Sequence, residues 1–150
     1  MMIRSICLAA ALTLAAAPAL AQDVSASPTF GNVRLSSGFP NDPHTTTVIA
    51  GGSVNAANLP GACVGQIGEA PDVRLTYSGG SMPLFIRTVA AADTTLVING
   101  PDGRWYCDDD SHGDGDAQVR FSRPQSGVYD IWIGAFSGNP EATLVITEIE

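Results

Sequence analysis

The chain has 150 residues, and its seven basic residues, all arginines, face fifteen aspartates and glutamates, which gives a formal net charge of −8. A charge of this sign excludes binding of nucleic acid or anionic lipid through the net field of the protein. The length suits one domain built around one hydrophobic core.

An apolar segment near the N-terminus predicts export. Arg4 precedes an apolar run at positions 6–17, and Ala19, Leu20 and Ala21 match the small-x-small pattern of a signal-peptidase site. The run is short for a bilayer span, although an uncleaved membrane anchor is the alternative. We therefore expect a cleaved signal peptide at residues 1–21, which removes Cys7, then a flexible lead-in at 22–29 and a single domain at 30–150. The expected location is the periplasm or the cell exterior, with no membrane span after cleavage.

Removal of Cys7 leaves two cysteines, Cys63 and Cys107. In an oxidising compartment an even pair of cysteines predicts a disulfide bond. The alternative is a pair of free thiols or metal ligands, for which the sequence lacks the close Cys-x-x-Cys spacing.

Short β-branched and alternating segments recur about every ten residues, and turn residues separate them. No segment of the mature chain shows sustained helical periodicity. We predict an all-β protein, an antiparallel β-sandwich of jelly-roll type with eight or nine strands. Residues 55–68 are predicted to form a loop that Cys63 pins. The predicted strands are Phe30–Leu35, Thr45–Ala50, Asp72–Tyr77, Leu84–Val89, Asp93–Ile98, Arg104–Cys107, Ala117–Phe121, Val128–Ile133 and Thr143–Thr147.

Alternation in one of these strands predicts which side chains enter the core. Tyr129, Ile131 and Ile133 share one face and are expected to point inward. Asp130 and Trp132 would then face outward, unless a covering loop buries Trp132.

Three runs carry a family resemblance: Asp93–Gly103 (DTTLVINGPDG), Cys107–Asp110 (CDDD) and Ser126–Ile133 (SGVYDIWI). Together they resemble the bacterial pre-peptidase C-terminal (PPC-like) domain over about residues 72–149. The resemblance implies a jelly-roll-like β-sandwich, usually an accessory module of secreted proteins that often lies beside a protease. It also implies that calcium, carbohydrate or protein polymers are candidate ligands. We expect the domain to stand alone here, which departs from the appended arrangement of the family.

The acidic loop, residues 108–116, is the candidate metal site. Calcium takes six to eight oxygen ligands, largely carboxylates and carbonyls in a flexible loop, and crowded like charges would favour a cation. The loop is not an EF-hand, because Val119 stands twelfth from Asp108 where that motif has Glu. The alternatives are a solvated loop whose aspartates are turn residues, or a partial zinc site around His112. The candidate calcium ligands are Asp93, Asp102, Asp108, Asp109, Asp110, Asp114 and Asp116.

The aromatic side chains Trp105, Tyr106 and Trp132 are a candidate binding surface for sugars or peptides, and the alternative is that the tryptophans pack in the core. For catalysis, the mature chain offers two histidines, His44 and His112, and no Gly-x-Ser-x-Gly motif; Ser81 lies in a predicted hairpin turn.

The sequence therefore favours an exported, non-catalytic binding or stability module whose partner is a periplasmic or extracellular protein or glycan. Calcium is the candidate cofactor. The alternative function is an accessory component of a secreted peptidase or hydrolase system. A further alternative is a chain that would be classified as a peptidase only through its family association.

Overall fold

The computed structural model describes residues 22–150, so the predicted signal peptide and Cys7 lie outside the described residues. The described chain is all-β, with eleven strands in two sheets and one short 3-10 helix, Ala56–Asn58. No helix in this range is long and apolar enough to cross a membrane. In chain order the strands are β1 (Asn32–Ser36), β2 (His44–Ile49), β3 (Val54–Asn55), β4 (Gln66–Ile67), β5 (Val73–Ser78), β6 (Leu84–Ala90), β7 (Thr94–Asn99), β8 (Trp105–Asp108), β9 (Gln118–Phe121), β10 (Gly127–Ala135) and β11 (Glu141–Thr147).

The predicted β-sandwich is confirmed, and each of the nine predicted strands has a counterpart within two residues at either end. The predicted number of strands was too low. Residues 55–68, predicted to form a loop, include β4 and the end of β3, which pair with each other over two residues. Strands of two residues carry too little alternation to be recognised in a sequence.

The seven-stranded sheet is organised around β10. Residues 127–131 pair antiparallel with β5, and residues 130–135 pair antiparallel with β7 on the opposite side. Ala135 also pairs with Gln66, so β4 lies on the same side of β10 as β5. Beyond β5 the sheet ends in β1, which pairs parallel to it, and beyond β7 it ends in β8.

The four-stranded sheet has the order β2-β11-β6-β9, and all its pairings are antiparallel. The two sheets enclose the main hydrophobic core. Tyr129, Ile131 and Ile133 point into it and are at most 1% exposed, which confirms the predicted inward face of β10. Complete burial of side chains of this size contributes about 1.5–3 kcal/mol each.

A second hydrophobic cluster lies on the outer face of the seven-stranded sheet. Trp132 points outward from β10 but is completely buried, because residues 54–67 cover it. The predicted disulfide between Cys63 and Cys107 is present, with its Cα atoms 5.1 Å apart, and it ties this covering segment to β8. Of the two alternatives that the sequence left open for Trp132, burial by a covering loop is the one observed. The indole Nε1 of Trp132 is shielded from water and has no hydrogen-bond partner within residues 22–150.

A buried carboxylate fills the break between β5 and β4 on one side of β10. Asp72 is 4% exposed. Its Oδ2 accepts a hydrogen bond from the backbone N–H of Ile133 at 2.7 Å, and its own N–H donates to the carbonyl of Ile131 at 2.8 Å. The side chain thus accepts from a backbone N–H of β10 that has no strand residue opposite it on this side. Burial raises the pKa of Asp72 from 3.8 to about 7, against a smaller lowering by the Ile133 N–H.

A second buried carboxylate, Glu148, joins the C-terminal end of the chain to the loop before β2. Its side chain accepts hydrogen bonds from the hydroxyl of Tyr77 and from the N–H of Gly38, the latter at 2.6 Å. The backbone N–H of Glu148 donates to Asp42 at 2.9 Å. Burial, followed by the hydrogen bond to Glu148, raises the pKa of Tyr77 to about 12. These contacts fix the loop between β1 and β2 against the end of β11.

Candidate functional site

The acidic loop joins β8 to β9, and its first aspartate is a structural cap. The carboxylate of Asp108 accepts hydrogen bonds from the N–H groups of Ser111 and Gln118, each at 2.9 Å, and from the hydroxyl of Ser111. Because both ends of the loop bond to one side chain, Asp108 closes the loop. A carboxylate engaged in three hydrogen bonds is held in a fixed position, where its acceptor capacity is largely used.

The last aspartate of the loop is also structural. Asp116 is 8% exposed, and its Oδ1 accepts from the N–H of Ala90 at 3.0 Å. The neighbouring carbonyl of Gly115 accepts from Thr94 N–H at 3.0 Å. These two bonds attach the loop to the connection between β6 and β7.

Glycine is needed at two positions of the loop. Gly113 and Gly115 have φ angles of 86° and 78°, in the left-handed region that side chains with a Cβ rarely adopt. A Cβ on Gly115 would also lie 3.3 Å from the backbone of Asp93. The glycines therefore allow the loop to fold back against Asp93.

Four carboxylates converge beside this turn. Burial, then Asp110, Asp108 and Asp93 in that order, raises the pKa of Asp109 above its usual value. Asp93 is thus near the loop, as the sequence predicted. Asp110 and Asp114 are exposed, and Asp114 has a φ of 55°.

Asp102 lies at the other end of the β7–β8 hairpin. It belongs to the turn that joins these strands, where its carboxylate accepts from the hydroxyl of Tyr106 at 2.7 Å and from Arg104 N–H at 3.1 Å. The hydrogen bond from Tyr106 lowers the pKa of Asp102. The structure therefore brings Asp93 to the acidic loop but places Asp102 elsewhere.

Within residues 22–150, no three His, Cys, Asp or Glu side chains stand in an arrangement that would by itself hold a metal ion. Calcium sites draw many of their ligands from backbone carbonyls and water. The calcium hypothesis therefore stays a prediction.

The three candidate aromatic residues do not share a surface. Trp105 and Trp132 pack together on the outer face of the larger sheet, with ring centroids 5.4 Å apart, and Trp132 is completely buried. Tyr106 points to the opposite face, where it contacts Phe121 edge to face at 5.0 Å. Adjacent strand residues point to opposite faces, so Trp105 and Tyr106 could not have formed one stacking platform.

Tyr106 instead lines a small cavity of about 70 Å³ at one end of the sandwich. Phe121 continues the aromatic contacts to Tyr129, with ring centroids 5.1 Å apart. The hydroxyl of Tyr129 donates to the carbonyl of Gln125 at 2.8 Å. The cavity is lined by Pro101, Asp102, Tyr106, Phe121, Arg123, Gln125 and Tyr129.

The residues considered for catalysis lie apart in the secondary structure. His44 begins β2 and is half-buried, His112 is exposed in the acidic loop, and Ser81 is exposed in the turn before β6. In the part of the chain that the structure describes, no hydrogen bond joins either imidazole to a serine hydroxyl. Sequence reasoning overlooked two of the buried carboxylates, Asp72 and Glu148. The signal for Asp72 was an acidic residue directly before a strongly alternating strand.

Taken together, the residues define an all-β sandwich that presents an acidic loop, tied to both sheets. No family model matches the chain, and no curated protein matches it. Among solved structures, the chain is similar to PliG of Aeromonas hydrophila, a periplasmic inhibitor of g-type lysozyme. The TM-score is 0.39 and the identity 12%, over 78% of this chain and 96% of that chain. At this level the likeness carries no inference about function.

Proposed function

We propose that this chain is an exported, non-catalytic binding module whose acidic loop takes up calcium. The observation that carries the proposal is the crowding of Asp93, Asp108 and Asp110 around Asp109, which adds to the effect of burial in raising the pKa of Asp109. Like charges held together by the fold repel one another, and a divalent cation relieves that repulsion. Bound calcium would stiffen the loop and so the surface around it.

The carboxylates of the loop divide into two groups under this proposal. Asp108 and Asp116 hold backbone N–H groups and shape the loop. Asp93, Asp109, Asp110 and Asp114 are left to supply oxygens to the ion, with backbone carbonyls and water completing its shell. Asp102 is not part of the site, because Tyr106 and Arg104 engage it at the far end of the hairpin.

Calcium titration of the purified protein tests the proposal. We expect saturable heat in calorimetry and a rise in melting temperature, since a ligand at 100 times its dissociation constant stabilises the folded state by about 2.7 kcal/mol. The double substitution Asp109→Asn and Asp110→Asn should abolish both effects. Asp102→Asn removes one carboxylate outside the site and should leave both effects intact. Absence of heat together with an unchanged melting temperature would refute calcium binding.

Export and non-catalytic binding are tested separately. Mass spectrometry of protein from a cell envelope fraction should give a chain that begins at Gln22, whereas a chain that begins at Met1 would contradict cleavage. The partner is proposed to be an extracellular or periplasmic protein or glycan. The PPC-like resemblance, and with it the role as accessory component of a secreted peptidase or hydrolase system, rests on the three sequence runs alone. Activity in a peptidase or glycosidase panel would contradict the non-catalytic assignment.

A further inference from the structure

The four-stranded sheet ends in β2, whose outer edge is open. The N–H of Ala50 donates to the carbonyl of Pro140 at 2.8 Å, and the register places Ile49 opposite Glu141. In an antiparallel pair the hydrogen-bonded positions alternate along the strand. Residues 44, 46 and 48 therefore bond to β11, whereas Thr45, Thr47 and Ile49 direct their N–H and C=O groups away from it. No other strand within residues 22–150 pairs with this side of β2.

Other edges of the two sheets are short, blocked or charged, and the edge strand β3 has only two residues. On β9 the N–H of Gln118 bonds to Asp108, and the exposed Arg120 follows two residues later. On β1 the exposed Arg34 occupies the centre of the strand. β8 is tied to the covering segment through the disulfide of Cys107. Proteins protect sheet edges by such means, because an open edge is a template for a further strand.

β2 carries none of these protections. It is the longest of these edge strands, with six residues, and residues 45–49 include no charge, proline or glycine. Thr45, Thr47 and Ile49 are exposed, and all three are β-branched. β-branched residues favour extended structure and cross-strand pairing. The edge therefore has both the free backbone groups and the side chains that strand addition requires.

We propose that β2 pairs antiparallel with β2 of a second copy of this chain, about a two-fold axis at Thr47. In this register Thr47 faces Thr47 of the second copy, and Thr45 faces its Ile49. Each facing pair exchanges two N–H···O bonds, so every backbone group on the open edge gains a partner. The two four-stranded sheets become one continuous sheet.

The side chains of this edge match themselves in the proposed register, and no charge at the edge keeps a second copy away. The chain is strongly acidic, yet the facing side chains at this edge are neutral, so two copies meet without like charges in contact. Residues 45–49 carry no charged side chain that could bind a partner of opposite charge. The net charge of each copy still opposes association at a distance, and salt screens that repulsion. The dimer is therefore expected to strengthen as the salt concentration rises.

Sedimentation equilibrium of the purified protein tests the proposal. Pairing of one short strand from each copy buries less than the roughly 1,600 Å² of a standard interface. We therefore expect a weak monomer–dimer equilibrium, with the dimer populated at about 1 mM protein. Thr47→Lys places two like charges at the axis and should give a monomer with an unchanged melting temperature. Thr143→Lys, on the same face but one strand away from the edge, is the matched control and should still dimerise. Thr47→Pro removes the outward N–H by an independent route and should also give a monomer.

Three results would overturn the proposal. The first is a wild-type protein that stays monomeric at about 1 mM and high salt. The second is a dimer that survives both Thr47→Lys and Thr47→Pro. The third is a monomer whose β2 amides become protected from hydrogen exchange by an added synthetic peptide of alternating threonine and valine, because the edge would then take a peptide strand and not a second copy. Concentration-dependent protection of the amides of Thr45, Thr47 and Ile49 would support it.

Discussion

The buried carboxylate of Asp72 makes a prediction about stability and pH. Its pKa is about 7 in the folded protein, against 3.8 for an ordinary aspartate. Between these values the folded chain holds a proton that the unfolded chain has released. The free energy of unfolding therefore falls as the pH rises from about 4 to about 7. The contribution of Asp72 is fully present below pH 3.8 and is lost as the pH passes through the folded pKa.

The magnitude follows from the same two pKa values. They differ by about three, and each pH unit corresponds to about 1.4 kcal/mol, so the loss between pH 4 and pH 8 is roughly 4 kcal/mol. Asp72→Asn keeps the shape of the side chain and an oxygen that can accept from Ile133 N–H, but it cannot ionise. We expect the variant to match the wild type at pH 4 and to exceed it by a few kcal/mol at pH 8.

Urea unfolding at intervals of one pH unit between 4 and 8 measures this difference. Asp102→Asn is the control, because the pKa of Asp102 is lowered. Removing this carboxylate should leave the fall of the unfolding free energy with rising pH in place. An Asp72→Asn variant with the same slope as the wild type, or one less stable than the wild type at pH 8, would show that Asp72 does not cause the fall in stability.

Three further substitutions test the packing around the candidate site by urea unfolding at pH 7. Replacing Cys63 and Cys107 with serine opens a loop closed across a separation of 44 residues, which should cost about 4 kcal/mol. Trp132→Ala leaves a cavity under the covering segment and should lower the free energy of unfolding by about 3–5 kcal/mol. The variant should also lose the blue-shifted emission that a buried tryptophan gives. Asp108→Ala frees the N–H groups of Ser111 and Gln118 and should cost about 1–2 kcal/mol.

Each of these expectations has a result that contradicts it. If the free energy of unfolding of the double serine variant lay within about 1 kcal/mol of that of the oxidised wild type, the stability of the covering segment would not depend on the disulfide. Trp105→Ala is the control for Trp132→Ala, because Trp105 is half-buried in the same cluster, and an equal loss for both would contradict the central place of Trp132. A fully stable Asp108→Ala variant would mean that water replaces the cap.

The strands were predictable from sequence because their alternation is strong. In β5, apolar and polar side chains alternate with a period of two. In β10 the alternate positions of Tyr129, Ile131 and Ile133 predicted the inward face, although Trp132 on the opposite face is buried as well. The disulfide followed from counting cysteines. β3 and β4 were not predictable, since two residues of strand depend on tertiary partners for their conformation.

The candidate site was predictable only in part. Asp93 precedes β7 and Asp102 lies in the turn after it, and both were predicted as candidate calcium ligands beside the acidic loop. In an antiparallel hairpin the start of the first strand lies beside the end of the second, so Asp93, directly before β7, lies near the residues that follow β8, and the turn residue Asp102 does not. The role of Asp72 could not be predicted, because its partner Ile133 is 61 residues away and the contact depends on where β5 ends.

The order of the strands along the chain has a consequence for how the protein folds. β10 and β11 come last in sequence, yet each occupies an interior position of its sheet and pairs with strands that lie much earlier in the sequence. β5, β7 and β4 have no common partner until residues 127–135 arrive, and β2 and β6 have none until residues 141–147 arrive. Contacts between such distant segments slow folding, because the entropy of closing long loops is lost before the contacts form. A chain that lacks β10 and β11 has neither sheet complete, so we expect stable folding to require residues 127–147.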